Sequence, residues 1–142
     1  MNREIIFRGK SIGTGEWLYG HLFNYGLTAP SNVPCICVCV PKSWKEAYNL
    51  YTVHPDTIGQ YTGLKDKAGK KIFEGDILEY IGKRKDNMNK VYRRKVVFHE
   101  GMFALLSKEL QAYSALNYHC MEDGRSAWRV IGNIHDNPEL IK

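Results

Sequence analysis

Apolar and polar residues alternate with a period of two along most of this chain, and glycine, asparagine and aspartate interrupt the alternation at short intervals. This pattern is typical of β-strands that bury one face and are joined by tight turns. It indicates about eight short strands, spaced roughly 8–12 residues apart. We therefore expect a mainly β fold, either a sandwich or a barrel, and closure into a barrel removes exposed strand edges.

Helical periodicity is brief wherever it occurs, and it predicts only one or two short helices. Residues 43–51 begin with a serine that is followed three positions later by a glutamate, which is the spacing of a capping box. Residues 107–116 place several apolar side chains loosely on one side of a helix. These two segments are the helical candidates.

The first turn signal is the glycine-rich segment 9–15. A loop that cradles phosphate is followed by a helix whose N-terminus faces the anion. Here the following residues, 16–23, are aromatic and alternating, which is typical of a strand. We therefore expect residues 9–15 to connect the two strands of a hairpin.

Two further turns are predicted near the middle of the chain. Asp66 and Gly69 suit the first and last positions of a type I turn. Gly75, between Glu74 and Asp76, is expected to supply a positive φ or a bulge. The two acids resemble a catalytic pair, but acidic side chains in turns commonly satisfy backbone N–H groups, and we expect that structural role here.

Composition describes an ordinary globular protein of one compact domain or two small subdomains. The chain has 142 residues, of which 44% are hydrophobic and 25% are charged. No apolar run approaches the roughly 18 residues of a membrane span, and the N-terminal residues lack the apolar core of a signal peptide. We therefore expect a cytoplasmic protein.

Positive charge is concentrated in one segment. Lys and Arg number 20 against 15 for Asp and Glu, which gives a net charge of +5. Residues 83–95 contain seven of the cations and a single acid, Asp86, and we expect them to form a hairpin with its tip near Asp86 and Asn87. Two interpretations are open: a solvated hairpin whose charges prevent edge-to-edge pairing, or a surface that contacts phosphate groups.

Two tyrosines flank this basic hairpin, Tyr80 and Tyr92. They are either cross-strand partners or platforms on which bases stack. The candidate nucleic-acid-binding residues are Lys83, Arg84, Lys85, Lys90, Tyr92, Arg93, Arg94 and Lys95.

Three of the four cysteines, Cys35, Cys37 and Cys39, alternate with apolar residues in one predicted strand. Thiols two residues apart on a strand lie about 6.6 Å apart and point in parallel, so they do not converge on a tetrahedral zinc ion. Cysteine also behaves as a small buried hydrophobe. We expect core-facing reduced thiols and no disulfide framework, with a metal site or redox chemistry as less favoured alternatives.

No catalytic motif is recognisable. Where a histidine directly precedes an acid, the two residues face opposite sides of a strand and form no local dyad. Metalloprotease, serine-hydrolase and phosphate-loop motifs do not occur. We predict no catalytic residue, no metal ligand and no cofactor, and keep a metal-dependent hydrolase, built from distant acids and histidines, as a minor alternative. The histidines are His21, His54, His99, His119 and His135.

Three long motifs carry a resemblance to a known family: TIGQYTGLKD at 57–66, GKKIFEGDIL at 69–78 and VIGNIHDNPEL at 130–140. Together with IFRGK at 6–10 and WLYG at 17–20, they resemble the YopX family of small bacterial and phage proteins. The resemblance implies an N-terminal β subdomain, 1–68, followed by an SH3-like β-barrel, 69–142, and a prophage or mobile-element origin. It implies no activity, cofactor or catalytic residue.

The expected function is therefore non-enzymatic binding, with nucleic acid contacted through the basic hairpin. The alternative is a protein-interaction or self-assembly module that binds a host protein, a phage protein or a second copy of the chain. Strand edges and aromatic side chains favour this alternative. The aromatic candidates for such a surface are Trp17, Tyr19, Trp44 and Trp128.

Overall fold

The computed structural model describes residues 3–25, 33–38 and 50–142, and these residues confirm the mainly β fold. They contain eleven strands in two antiparallel sheets, together with three short 3₁₀ helices at Pro55–Thr57, Leu116–His119 and Pro138–Ile141. The strands are β1 (Phe7–Lys10), β2 (Trp17–Tyr25), β3 (Val33–Cys37), β4 (Leu50–Thr52), β5 (Gly59–Lys65), β6 (Lys71–Phe73), β7 (Asp76–Ile81), β8 (Val91–His99), β9 (Met102–Ser107), β10 (Ala112–Ala115) and β11 (Arg129–Asn133).

The chain divides into two compact units, Met1–Tyr61 and Thr62–Lys142. In the first unit the strand order is β4-β3-β2-β1-β5, and β1 pairs in antiparallel fashion with both β2 and β5. The glycine-rich loop joins β1 to β2, where Lys10 pairs with Trp17, so the predicted hairpin is confirmed.

The thiols on β3 are buried in the first unit. Cys35 is 2% exposed and Cys37 is 5% exposed, and both are reduced. Burial raises the pKa of the Cys35 thiol above its ordinary value. The prediction of core-facing thiols is confirmed for these two residues, whereas Cys39 lies outside the described residues.

In the second unit, consecutive hairpins join β7 to β10, and the chain then returns to place β11 beside β7. The resulting order is β10-β9-β8-β7-β11, in which the described residues of β10 and β11 each have one neighbouring strand, so no closed barrel is formed. The core of the unit consists of Ile72, Leu78, Val96, Leu105, Leu116 and Trp128.

The predicted turns near the middle of the chain are confirmed. The Gly69 N–H donates to the Asp66 carbonyl at 2.9 Å, which is the hydrogen bond that closes a four-residue β-turn. Gly75 has a φ of 90°, a value that favours glycine. The adjacent Asp76 carboxylate is buried and accepts a hydrogen bond from the Phe73 N–H at 2.8 Å, so it satisfies the backbone as expected.

The helix predicted over residues 107–116 is wrong. The chain instead ends β9 at Ser107, turns through Gln111 with a positive φ of 49°, and forms β10. Tyr113 pairs with Leu106 in this hairpin. A helix of about ten residues is marginal in water, whereas the hairpin gives the same backbone groups hydrogen bonds to an existing sheet. Most of the other helical candidate, residues 43–49, lies outside the described residues, and Leu50–Thr52 is a strand.

A buried carboxylate fixes the position of the turn that follows β5. Asp66 is 1% exposed, and its Oδ1 accepts hydrogen bonds from the Ala68 and Lys70 N–H groups at 2.9 and 2.8 Å. Its Oδ2 accepts a hydrogen bond from the Val130 N–H at 2.9 Å. The Lys67 N–H donates to the Trp128 carbonyl at 3.0 Å beside it. The turn is therefore attached to the beginning of β11.

Replacing the Asp66 carboxylate is expected to destabilise the protein. Asp66→Ala leaves three partly buried N–H groups without acceptors and lowers the free energy of unfolding by about 3 kcal/mol. Asp66→Asn keeps one acceptor oxygen and costs about 1–2 kcal/mol. Urea titration followed by circular dichroism measures both losses.

The control for this prediction is Asp123→Asn, because Asp123 is an exposed turn residue that accepts a hydrogen bond from the Arg125 N–H at 3.0 Å. It is expected to change the free energy of unfolding by less than about 0.5 kcal/mol. Equal losses at the two positions contradict the role assigned to Asp66.

Candidate functional site

The predicted basic hairpin is present as β7, a loop over residues 82–90, and β8. The Gly82 N–H donates to the Lys90 carbonyl at 2.8 Å, and the Asn89 N–H donates to the Gly82 carbonyl at 2.9 Å. A Cβ at position 82 would overlap the backbone oxygen of Asn87, so only glycine fits there. These contacts give the loop a defined shape, with Lys83, next to Gly82, exposed on it.

Strand geometry divides the candidate cations between two faces of the hairpin. Successive side chains on a strand point to opposite sides. On β8, Tyr92 and Arg94 therefore share one face, while Arg93 and Lys95 share the other. The structure does not bring the eight candidate residues onto one surface.

On the first face, cations cover the ring of Tyr92. Lys90 Nζ lies 5.1 Å from the ring centroid, and Arg94 Cζ lies 5.6 Å from it. Arg94 Cζ also lies 5.9 Å from the centroid of the Trp128 ring. Both distances to Tyr92 fall in the range of cation–π attraction. This side of the hairpin therefore presents the two cations next to the ring rather than an open ring face.

Tyr80 and Tyr92 are cross-strand partners, as one of the two interpretations expected. They occupy paired positions of β7 and β8, and their ring centroids are 6.3 Å apart. The ring of Tyr80 also lies 5.6 Å from that of Trp128. We call Tyr80, Tyr92 and Trp128 the aromatic cluster.

On the opposite face, the charge of Arg93 is compensated. Its Nε lies 3.1 Å from Glu79 Oε2, and its Nη1 donates to the Leu140 carbonyl at 3.3 Å. The pairing of β11, β7 and β8 places Arg129, Glu79 and Arg93 in one cross-strand row. In the hairpin loop, Arg84 forms an exposed ion pair with Asp86 at 3.1 Å.

A groove of about 410 Å³ lies beside the base of the hairpin. Three cations line it, Lys67 from the Asp66 turn, Lys83 from the hairpin loop and Arg129 from β11. The remaining lining residues are Ala68, Glu79, Tyr80, Ile81 and Ala127. We call this the cationic groove.

Sequence reasoning identified Lys83 as a candidate but missed Lys67 and Arg129. Lys67 follows the first residue of a predicted turn, and Arg129 begins β11, far along the chain. No regular spacing in the sequence relates Lys67 and Arg129 to each other or to Lys83. The hydrogen bond from the Val130 N–H to Asp66 brings the two segments together, and the sequence gives no sign of that long-range contact.

The electrostatics of Lys67 reflect this convergence of like charges. A hydrogen bond from Lys83 that only the neutral amine of Lys67 can accept, the charge of Lys83, desolvation and the charge of Arg129 all lower the pKa of Lys67 below its ordinary value of 10.5. The cause is that each neighbouring cation disfavours the charged form of Lys67. Lys67 itself is exposed, so solvent screens part of the repulsion.

The described residues contain no group of three or more His, Cys, Asp or Glu side chains that could hold a metal ion. His99 stacks on Tyr113 with a centroid distance of 3.7 Å, and His119 stacks against Tyr80 at 6.2 Å.

Among the residues that the structure describes, no helix has the length and apolar character needed to cross a membrane.

Removing the charge of Lys83 is expected to raise the pKa of Lys67 towards 10.5. The variant Lys83→Met removes both the hydrogen bond and the repulsion, while Arg129 and Glu79 remain at the groove. The pKa is measured by following the Lys67 side-chain resonances against pH by nuclear magnetic resonance. Lys85→Met, an exposed cation on the same loop, is the control and leaves the pKa unchanged. An unchanged value in Lys83→Met shows that the two ammonium groups do not interact.

Comparison with known proteins supports the resemblance seen in the sequence. The family model described as YopX protein matches residues 6–142. The crystal structure of protein EF1440 from Enterococcus faecalis is similar, with 26% sequence identity and a TM-score of 0.57 over 99% of this chain and 100% of that one. The crystal structure of YopX from Bacillus subtilis shares the fold, with 14% identity and a TM-score of 0.56 over 99% and 97% of the two chains. A search of the curated proteins gives no match. Since the family model spans nearly the whole sequence, this chain belongs to the YopX family.

Proposed function

We propose that this protein acts by binding nucleic acid, through phosphate contacts made by its second unit. The proposal rests on two groups of cations in the second unit. Lys90 and Arg94 lie beside the ring of Tyr92, and Lys67, Lys83 and Arg129 line one groove together with Tyr80. Within the part of the chain that the structure describes, none of the five forms an ion pair with a carboxylate.

The mode of binding is expected to be electrostatic and tolerant of sequence. Lys90 and Arg94 lie over the ring of Tyr92, so a base that stacks there has to displace them. Phosphate groups can approach the same cations without that rearrangement. Binding dominated by phosphate contacts weakens steeply with salt because counterions are released from the nucleic acid. The proposed binding needs neither a catalytic residue nor a cofactor.

The cations on the Arg93 side of the hairpin are assigned a lesser role. Arg93 is already engaged by Glu79, and Arg84 by Asp86. An ion pair reduces the charge available to an incoming phosphate. Of the eight residues that the sequence singled out, we assign the main phosphate contacts to Lys83, which lines the groove, and to Lys90 and Arg94, which lie beside Tyr92.

We also infer that the second unit is an open variant of an SH3-like barrel, in which the described residues of β10 and β11 are not paired with each other. The order β10-β9-β8-β7-β11, with the 3₁₀ helix Leu116–His119 before the last strand, supports this assignment. We also propose a prophage origin and a cytoplasmic location. Both proposals are supported by the sequence alone.

A second candidate function is self-association. Phe98 on β8 is 56% exposed and Leu110, in the turn before the end strand β10, is 72% exposed. Among the described residues β10 pairs with one strand only, and an end strand beside exposed apolar side chains favours edge pairing between two copies. Light scattering after size exclusion tests this candidate, since a molar mass that stays at one chain at all concentrations contradicts it.

Removing the two cations beside Tyr92 is expected to weaken nucleic-acid binding. Lys90→Ala with Arg94→Ala removes two phosphate contacts, so the slope of log affinity against log salt falls by about 2. Affinity at low salt falls about tenfold or more. Fluorescence anisotropy with labelled single- and double-stranded DNA, at two salt concentrations, measures both quantities.

The matched control removes two cations from the Arg93 side, Lys108→Ala with Lys142→Ala, and is expected to change the affinity by less than threefold. Two results overturn the proposal: the absence of binding by the natural protein at low salt, and an equal loss of affinity in both double variants.

A further inference from the structure

The cationic groove differs from the rest of the basic surface because its three cations come from separate parts of the second unit. Lys67, Lys83 and Arg129 belong to the Asp66 turn, the hairpin loop and β11. The backbone of each is anchored nearby: the Lys67 N–H to the Trp128 carbonyl, Gly82 to Lys90, and Arg129 by pairing with Glu79. Three segments with anchored backbones therefore contribute cations to the lining of one groove.

The charge balance of the groove is positive at one end. Glu79 is the only carboxylate among its lining residues, and its Oε2 is bonded to Arg93 at 3.1 Å. In the cross-strand row Glu79 lies between Arg93 and Arg129, and its ion pair is with Arg93. Lys67 and Lys83 therefore form the end of the groove at which a bound anion gains the most electrostatic stabilisation.

The repulsion between the ammonium groups of Lys67 and Lys83 also favours the binding of an anion between them. Two ammonium groups held within reach of one another are less favourable than two separate ones, and a bound anion reverses that cost. The side chain of Lys83, through a hydrogen bond to the neutral amine and through its charge, lowers the pKa of Lys67. Binding of an anion between the two groups would raise that pKa again.

The other walls of the groove are apolar. Ala68, Tyr80, Ile81 and Ala127 surround the space next to the cations. The volume, about 410 Å³, falls within the range of small-molecule sites. A ligand that fits therefore combines a compact, strongly charged anion with a less polar body.

From this geometry we propose that the cationic groove binds a phosphate monoester, with the phosphate between Lys67, Lys83 and Arg129 and its organic body against Tyr80 and Ile81. A monoester carries close to two negative charges and three terminal oxygens, which matches three convergent donors better than a diester with one charge. The ligand is either the terminal phosphate of a nucleic-acid strand or a free mononucleotide. The first source rests on the proposed function, whereas the second does not.

The first experiment compares two oligonucleotides of identical sequence, one with a 5′-phosphate and one with a 5′-hydroxyl. The natural protein is expected to bind the phosphorylated strand about tenfold more tightly, as charge-assisted hydrogen bonds to a phosphate imply. In the variant Lys67→Ala with Arg129→Ala, the ratio of the two affinities falls to about one. Lys108→Ala, an exposed cation elsewhere in the unit, keeps the ratio of the natural protein.

The second experiment uses adenosine 5′-monophosphate, with adenosine and inorganic phosphate as comparison ligands. The monophosphate is expected to shift the side-chain resonances of Lys67 and Arg129 and to raise the pKa of Lys67, while adenosine does neither. Inorganic phosphate is expected to produce the same shifts at higher concentration because it lacks the organic body. Shifts with the monophosphate but no preference for the phosphorylated strand assign the groove to free mononucleotides.

The outcomes separate this inference from the proposed function. Lys90→Ala with Arg94→Ala weakens binding of both strands equally and leaves their ratio intact, since those residues do not line the groove. If no strand binds the natural protein but the monophosphate does, the proposed function fails and the phosphate site stands. If the ratio is one in the natural protein and the monophosphate causes no shift, or if the groove variant keeps the preference and the shifts, the site is overturned.

Discussion

The buried carboxylate of Asp66 is the interaction on which the organisation of the second unit depends. It accepts hydrogen bonds from Ala68, Lys70 and Val130, and so holds the turn after β5 against the beginning of β11. A carboxylate out of contact with water is costly unless its oxygens are hydrogen-bonded, and here three backbone N–H groups meet that need. The same contact fixes where the neighbouring residue, Lys67, presents its ammonium group.

The long sequence motifs have a structural explanation of the same kind. The Ile134 N–H donates to the Gly75 carbonyl at 2.9 Å, and the Gly75 N–H donates to the Val96 carbonyl at 2.9 Å. Asn133 is buried, and its Oδ1 accepts hydrogen bonds from the N–H groups of His135 and Asp136. Turns from distant parts of the sequence thus satisfy one another's backbone groups. That packing explains the residue types in these motifs. The groups available for binding are the cations that project beside them.

Charge in this protein is positioned by strand geometry rather than by local density. The net positive charge of residues 83–95 exceeds that of the whole chain, yet neighbouring residues of β8 point in opposite directions. Arg93 is neutralised by Glu79 across the sheet, while Arg94 lies against Tyr92 and Trp128. Two adjacent arginines therefore have different electrostatic roles, and the surface that can meet an anion includes residues far from the basic segment.

The sequence by itself determined the β class, the hairpin that carries the basic residues, the turns at Asp66 and Gly75, and the buried thiols, because each of these depends on a local pattern of side-chain type and spacing. It did not determine the strand over Ala112–Ala115, where the apolar residues also suit a short helix and only pairing with β9 decides between them. Nor did it determine the cationic groove. Lys67 and Arg129 meet through hydrogen bonds between distant segments, and a contact of that kind exists only once the sheet has formed and its backbone groups have found their partners.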